Sequence, residues 1–190
     1  MNLSQKQIKP KLTSSFQKLW SLHWLMAICF LVLYLVGIVM SRLPDEIALK
    51  DYMFDFHKSI GVLVMGLLLL RIFFLLQVFG NRYLKRQPKL NKHWIQGFTL
   101  HSLLYLLMLI VPLSGFLYSN SGGHEVAVFG LAMPSLFQEN QAFFPFARSL
   151  HFWLSYTFLA FILLHAWENH RFILNFRRRF FRDRLIEEKR

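Results

Sequence analysis

Residues 151–166 are HFWLSYTFLAFILLHA, an apolar stretch with a histidine near each end. The two histidines, His151 and His165, are fourteen residues apart. A helix turns about 100° and rises about 1.5 Å per residue, so this spacing returns both side chains to nearly the same face, about 21 Å apart. Ionisable side chains are costly inside a membrane span and by default mark a functional site. The stretch therefore predicts a membrane helix that carries two sites, one near each end.

The composition of the whole chain is that of an integral membrane protein. Its 190 residues are 55% hydrophobic and carry a formal net charge of +12, a combination that is atypical of a soluble domain of this length. Crossing a bilayer takes about 20 apolar residues, and four segments qualify: residues 20–40, 54–78, 95–118 and 149–168. We predict an all-α fold, a transmembrane four-helix bundle over residues 20–168.

The basic residues predict how this bundle is oriented. Of the 22 lysines and arginines, 17 lie in a basic lead at residues 1–19, in the connection between spans two and three, or in a basic tail at residues 169–190. Cytoplasmic segments carry the excess of positive charge in membrane proteins. We therefore predict that the N and C termini are both cytoplasmic. A basic tail of this kind suits contact with anionic membrane lipid, and we expect no nucleic-acid partner.

Four histidines fall at matching depths when the direction of each span is followed. His23 and His165 both lie about one turn from the cytoplasmic surface, whereas His57 and His151 both lie near the outer surface. A b-type haem needs an axial imidazole on each face of its ring, and two facing helices of a bundle can supply them. We predict two haem b sites, with His23 and His165 as the inner axial iron ligands and His57 and His151 as the outer ones.

Further residues share the faces that carry these histidines. Arg71 follows His57 by fourteen residues, and its guanidinium would suit a haem propionate at the inner site; the alternative is that it reaches the cytoplasmic headgroups. Gly37 follows His23 by fourteen residues and Gly61 lies one turn from His57. Such glycines would let a flat ring approach the helix backbone, although ordinary helix packing favours glycine equally.

The remaining candidates are less well defined. His101, about two turns into span three, could compete with His23 as a ligand or serve in hydrogen bonding or proton handling. Cys29 is the only cysteine, so a C-x-x-C-H motif is excluded and any haem would be held by coordination alone. The outer haem could also be contacted by Lys58, Arg42 or Arg148, while surface positions are expected for His93, His124 and His170.

Five segments make the chain resemble a known family: SLHW at 21–24, FHKSIG at 56–61, HSLLYLLMLIVPLSG at 101–115, VFGLAMP at 128–134 and HFWLSYTFLAFILLHA at 151–166. Together with Arg71 of LLLLRIFF, they resemble the bacterial cytochrome b561 family of four-helix, di-haem membrane proteins. The resemblance implies that the four paired histidines are the axial ligands and that quinone is the electron partner. It also implies a bacterial inner (plasma) membrane. One member type is a superoxide oxidase that takes electrons from superoxide at the outer face and reduces ubiquinone.

Three functions stay open from the sequence. The first is a di-haem carrier of single electrons between a donor and the quinone pool; catalysis, where present, would be redox. The second is a haem-bearing membrane anchor for a partner oxidoreductase. The third, a divalent-metal transporter, is disfavoured because every carboxylate lies in a loop or at a span end.

The long outer connection at residues 119–148 predicts a cover over a site, which could hold the quinone. At the outer face six carboxylates oppose four cations, which gives superoxide no net attraction.

Overall fold

The computed structural model describes residues 14–82 and 91–170. It contains four α-helices: α1 (Ser14–Met40), α2 (Leu49–Arg82), α3 (Lys92–Ser121) and α4 (Phe144–Glu168). All four are long and apolar enough to cross a membrane, which confirms the predicted all-α class with four spans. Most of the predicted basic lead and tail, and the middle of the connection between α2 and α3, lie outside the described residues.

The first compact unit contains α1 and α2 as an antiparallel helix pair. Near the start of α1 the ammonium of Lys18 lies 5.2 Å from the centre of the Phe74 ring, which belongs to the last third of α2. The short connection at 41–48 is held by Lys50, which pairs with Asp45 and donates a hydrogen bond to the carbonyl of Leu43 at 2.9 Å. The apolar side chains buried in this helix pair are Leu22, Met26, Cys29, Val64 and Leu68.

A β-hairpin at residues 125–134 belongs to the same unit. Its strands, β1 (Ala127–Val128) and β2 (Leu131–Ala132), pair antiparallel. Phe129 and Gly130 form the turn with φ of 48° and 89°, the two positive values of a type I′ hairpin turn. In the sequence analysis these residues belong to the long connection at 119–148, for which no strand was predicted. The hairpin is the one β element among the residues that the structure describes.

The second unit contains α3 and α4, again as an antiparallel pair, with the parts of their connection that flank the hairpin, residues 122–124 and 135–143. The side chain of Asn91 caps α3 by accepting a hydrogen bond from the amide of Trp94 at 2.8 Å. Pro145 occupies the first turn of α4, where its missing N–H costs nothing. Because α3 and α4 both extend into the predicted connection, the segment between them is shorter than residues 119–148.

Asn120 organises that segment from the last turn of α3. Its side-chain oxygen accepts hydrogen bonds from the amides of Leu136 and Phe137 at 3.0 and 3.3 Å. Its side-chain nitrogen donates to the carbonyl of His124 at 3.3 Å. The side chain of Asn120 is buried, so these bonds satisfy polar atoms that would otherwise be costly to bury.

Candidate functional site

His151 lies in a niche made by one face of α3. The side chain projects from α4 toward Val111, Ser114, Gly115 and Tyr118, whose spacing of three, four and seven residues places them on the same side of α3. The imidazole Nδ1 lies 2.9 Å from Ser114 Oγ and 3.2 Å from the Val111 carbonyl oxygen. The Tyr118 ring stacks on the imidazole with ring centres 6.5 Å apart and planes inclined by 17°.

These contacts decide which nitrogen of His151 carries the proton. A backbone carbonyl only accepts hydrogen bonds, so the contact with Val111 places the hydrogen on Nδ1. Ser114 Oγ itself donates to the same carbonyl at 2.7 Å, which leaves an oxygen lone pair for the imidazole N–H. In the neutral ring Nε2 therefore keeps its lone pair, the form in which histidine binds a metal or haem iron.

Glycines let two of the histidine rings lie close to a neighbouring helix backbone. A Cβ added at Gly115 would lie 3.2 Å from Cε1 and 3.5 Å from Nδ1 of His151. In the other helix pair, a Cβ added at Gly37 would lie 3.4 Å from Cε1 of His57. At Gly61 an added Cβ would meet no atom of the described residues within 4 Å, so contacts seen in this part of the chain do not explain that glycine by helix packing.

His23 makes a different kind of contact, with Arg71. The guanidinium Nη1 lies 3.1 Å from His23 Nδ1. Arginine can only donate, so Nδ1 is the acceptor and the neutral ring carries its proton on Nε2. The structure thus brings Arg71 to the level of His23, as the fourteen-residue spacing predicted. There the guanidinium contacts the imidazole of His23, whereas the predicted partner was a haem propionate. Ligation through Nε2 would require this contact to open, and the propionate role of Arg71 stays a prediction.

His165 and His101 form an edge-to-face pair between α4 and α3. Their ring centres are 4.9 Å apart and their planes are inclined by 88°. His101 Nδ1 donates to the carbonyl of Gly97 at 2.6 Å, which leaves the Nε2 lone pair available. His101 is exposed, whereas His165 is half-buried with its Nδ1 atom fully covered. His101 therefore contacts a predicted ligand from within its own helix pair.

Each helix pair carries one predicted ligand toward either end. In the first unit these are His23 and His57; in the second, His165 and His151. Each predicted axial pair, His23 with His165 and His57 with His151, would take one histidine from each unit, and both pairings stay predictions. Imidazole donors with glycine-backed rings at His57 and His151 fit the predicted ligation of a flat cofactor such as haem b.

The cations predicted near the outer site have other contacts. Lys58 donates to the carbonyl of Glu125 at 3.1 Å and pairs with Asp55 at 3.1 Å, which ties the hairpin to α2. Arg42 reaches the carbonyl of Ile38 at 3.4 Å. Their propionate roles, and that of the exposed Arg148, stay predictions.

Two serines were not identified from the sequence although both lie next to predicted ligands. Ser114 contacts the ring of His151. Ser59, two residues after His57, donates to the carbonyl of Ala127 at 3.1 Å and accepts from the amide of Phe129 at 3.0 Å. For Ser114 a signal was available, because it shares a helix face with Gly115 and Tyr118. For Ser59 none was, because its partners are about 70 residues away along the chain.

The metal-transporter hypothesis stays a prediction that the described residues do not test. Within residues 14–82 and 91–170, no three His, Cys, Asp or Glu side chains come together to hold a metal ion.

Comparison with known proteins adds two findings. The family description "Prokaryotic cytochrome b561" matches residues 17–167, a range that covers nearly all of the four helices. The chain is also similar to cytochrome b561 homolog 2 of Escherichia coli (strain K12), with 29% identity over 154 residues. That alignment covers 80% of this chain and 81% of the relative. The matched ranges bear out the resemblance carried by the five sequence segments.

Proposed function

Since the chain belongs to the prokaryotic cytochrome b561 family, a family of membrane haem b proteins that transfer electrons, we propose that it holds two haems b and carries single electrons between a donor and the quinone pool. Haem b, when bound, supplies reversible one-electron chemistry at its iron. The number of haems and the quinone partner are our proposal. The protein's own part is to bind the haems, orient them and tune their reduction potentials.

The observation that carries the proposal is the state of His151. Its Nδ1–H is held by Ser114 and Val111, its Nε2 keeps a lone pair, and Gly115 leaves room for the ring against the backbone of α3. A ligand histidine usually has its second nitrogen fixed in this way. This geometry is expected of an axial ligand.

We assign the four histidines to two proposed haem sites at different depths in the membrane. On α4, His151 and His165 are about 21 Å apart by the helix rise, and we assign them to separate sites. His57 would complete the site of His151, and His23 the site of His165. The predicted topology places the first site toward the outer face and the second toward the cytoplasm of a bacterial inner membrane.

The experiment is a haem count on the purified membrane protein and its variants. We expect two low-spin b haems per chain in the reduced-minus-oxidised spectrum of the wild type. His57→Ala and His151→Ala should each lose one haem, and His23→Ala and His165→Ala should each lose the other. The exposed His93, changed to alanine, is the matched control and should keep both.

Two outcomes would contradict the proposal. Wild-type protein without haem, when produced with haem supplied, would remove its basis. Equal loss of haem in His93→Ala would show that the histidine variants act through misfolding and not through ligation.

The identity of the donor needs a separate experiment. Two of the outer cations, Lys50 and Lys58, are paired with carboxylates, so an anion such as superoxide gains little attraction from them. Purified protein in vesicles with ubiquinone should be reduced by a candidate donor and reoxidised by the quinone. Reduction by superoxide would identify a superoxide oxidase. Failure to react with any small donor unless a partner oxidoreductase is added would instead identify an anchor subunit.

A further inference from the structure

We propose that Ser114 is a positioning residue that sets how strongly His151 donates electrons to a bound iron. The inference deepens the proposed function and rests on it, because it assumes that His151 is an axial ligand. It concerns a residue on α3, outside the predicted ligand set. Its basis is the geometry of one hydroxyl group, one imidazole and one carbonyl.

The hydroxyl of Ser114 is oriented by its own helix. It is 5% exposed and donates to the Val111 carbonyl at 2.7 Å, a bond made within one turn of α3. With its hydrogen committed there, the oxygen can only accept from the imidazole N–H, which lies 2.9 Å away. The same N–H also faces the Val111 oxygen at the longer distance of 3.2 Å. The hydroxyl is thus the nearer of two acceptors for one proton.

This arrangement makes the imidazole a stronger donor through its other nitrogen. A hydrogen bond from Nδ1–H to an oxygen moves electron density toward Nε2 and raises the basicity of the ligand. A more basic ligand stabilises the oxidised iron relative to the reduced iron, and second-shell hydrogen bonding is one of the means by which a protein sets haem potential. Removing the hydroxyl leaves only the longer bond to Val111, so the ring should become both a weaker donor and less firmly oriented.

The test compares three variants of the purified di-haem protein by redox titration. Ser114→Ala should make the haem that is lost in His151→Ala easier to reduce. Losing a second-shell partner typically costs 10- to 100-fold in metal affinity, and because Val111 still accepts we expect the low end, about tenfold in the reduction equilibrium constant, which is about 59 mV for one electron. Ser114→Thr keeps the hydroxyl and should stay close to the wild type.

Ser155→Ala is the matched control. Ser155 Oγ donates to the backbone carbonyl of His151 at 2.7 Å. Ser155→Ala therefore removes a serine hydroxyl that bonds to the backbone of His151 and not to Nδ1 of its ring. The potential should move in Ser114→Ala and not in Ser155→Ala. The g-values of the oxidised low-spin haem, measured by electron paramagnetic resonance, should shift in the same variant only.

Three results would overturn the inference. They are an unchanged potential in Ser114→Ala, an equal shift in Ser155→Ala, or an equal shift of both haems. If Ser114→Ala fails to fold, Ser114→Thr and Ser114→Val decide, because the two side chains have similar volume and differ in the hydroxyl; equal potentials in that pair would refute the role. Wild-type protein without haem overturns the proposed function as well, whereas two haems with an unmoved potential overturn the role of Ser114 alone.

Discussion

The close approach of Gly115 to His151 predicts a graded loss of haem as the residue at 115 is enlarged. A Cβ at this position would lie 3.2 Å from Cε1 of the imidazole, and carbon atoms pack best at about 3.5–4.0 Å. The ring would therefore retreat by about 0.3 Å or more in Gly115→Ala. Functional side chains have to be held within about 0.5 Å of their working geometry, and in enzymes a misplacement of about 1 Å can cost about 100-fold in catalytic rate.

We therefore expect Gly115→Ala to retain both haems but to release one of them faster, by less than about tenfold. Gly115→Val adds two methyl groups at the same point and should lose that haem. Gly37→Ala should have a smaller effect than Gly115→Ala, because its Cβ would lie 3.4 Å from the ring of His57. The assay is the rate at which haem passes from the purified protein to excess apomyoglobin.

Gly66 and Gly97 provide the matched controls, because a Cβ added at either would meet no atom of the described chain within 4 Å. Gly66→Ala and Gly97→Ala should release haem at the wild-type rate. The reasoning is refuted if Gly115→Val retains two haems with an unaltered spectrum. It is equally refuted if the control variants lose haem as fast as Gly115→Ala.

Three further predictions concern the segments next to the site. Ser59→Ala removes two hydrogen bonds to the hairpin and should lower its opening free energy by about 1–2 kcal/mol, seen as faster amide exchange at 125–134, whereas Ser41→Ala, at the end of α1, should leave that exchange unchanged. Phe129→Gly should relieve the strain of the positive φ and raise the opening free energy of the hairpin by about 1 kcal/mol, so that amide exchange at 125–134 becomes slower. Faster exchange would contradict this. Asn120→Ala should lower the free energy of unfolding by about 2 kcal/mol, and a denaturation midpoint like that of the wild type would contradict it.

The helices, and the level of a residue within its own helix pair, could be predicted because they depend on local sequence. Hydropathy over about 20 residues identifies a span, and the helical repeat places residues fourteen apart on one face. The same repeat placed Arg71 at the level of His23 and Gly37 at the level of His57, and both contacts are present in the structure. Helix ends were less accurate, because hydropathy marks the membrane core and a helix can continue beyond it.

The hairpin could not be predicted because it depends on partners that are distant in sequence. Its turn requires a positive φ at Phe129, a bulky residue that rarely adopts one. The hydroxyl of Ser59, 70 residues earlier, accepts the amide hydrogen of that residue. The hydrogen bond from His151 to Ser114 is likewise formed between helices, and a sequence reports only which residues share a face.

The contrast between His23 and His151 orders the two sites in potential. His151 donates its Nδ1 proton to neutral oxygens, which enriches the ring in electrons, whereas His23 faces the permanent positive charge of Arg71. Ligation through Nε2 would require Arg71 to leave Nδ1, after which its guanidinium would stay near the ring or turn to a propionate. In both positions the positive charge favours the reduced form at the site of His23. Arg71→Gln should therefore lower the potential of the haem lost in His23→Ala.

This ordering bears on where electrons leave the protein. Under the proposed assignment, electrons that enter at the site of His151 would come to rest at the site of His23. We therefore propose that the quinone reacts there and not beneath the connection between α3 and α4, as the length of that connection alone suggested. Redox titration of His151→Ala and His23→Ala, each expected to keep one haem, compares the two levels directly. A lower potential in His151→Ala than in His23→Ala would reverse the order and return the quinone to the other end.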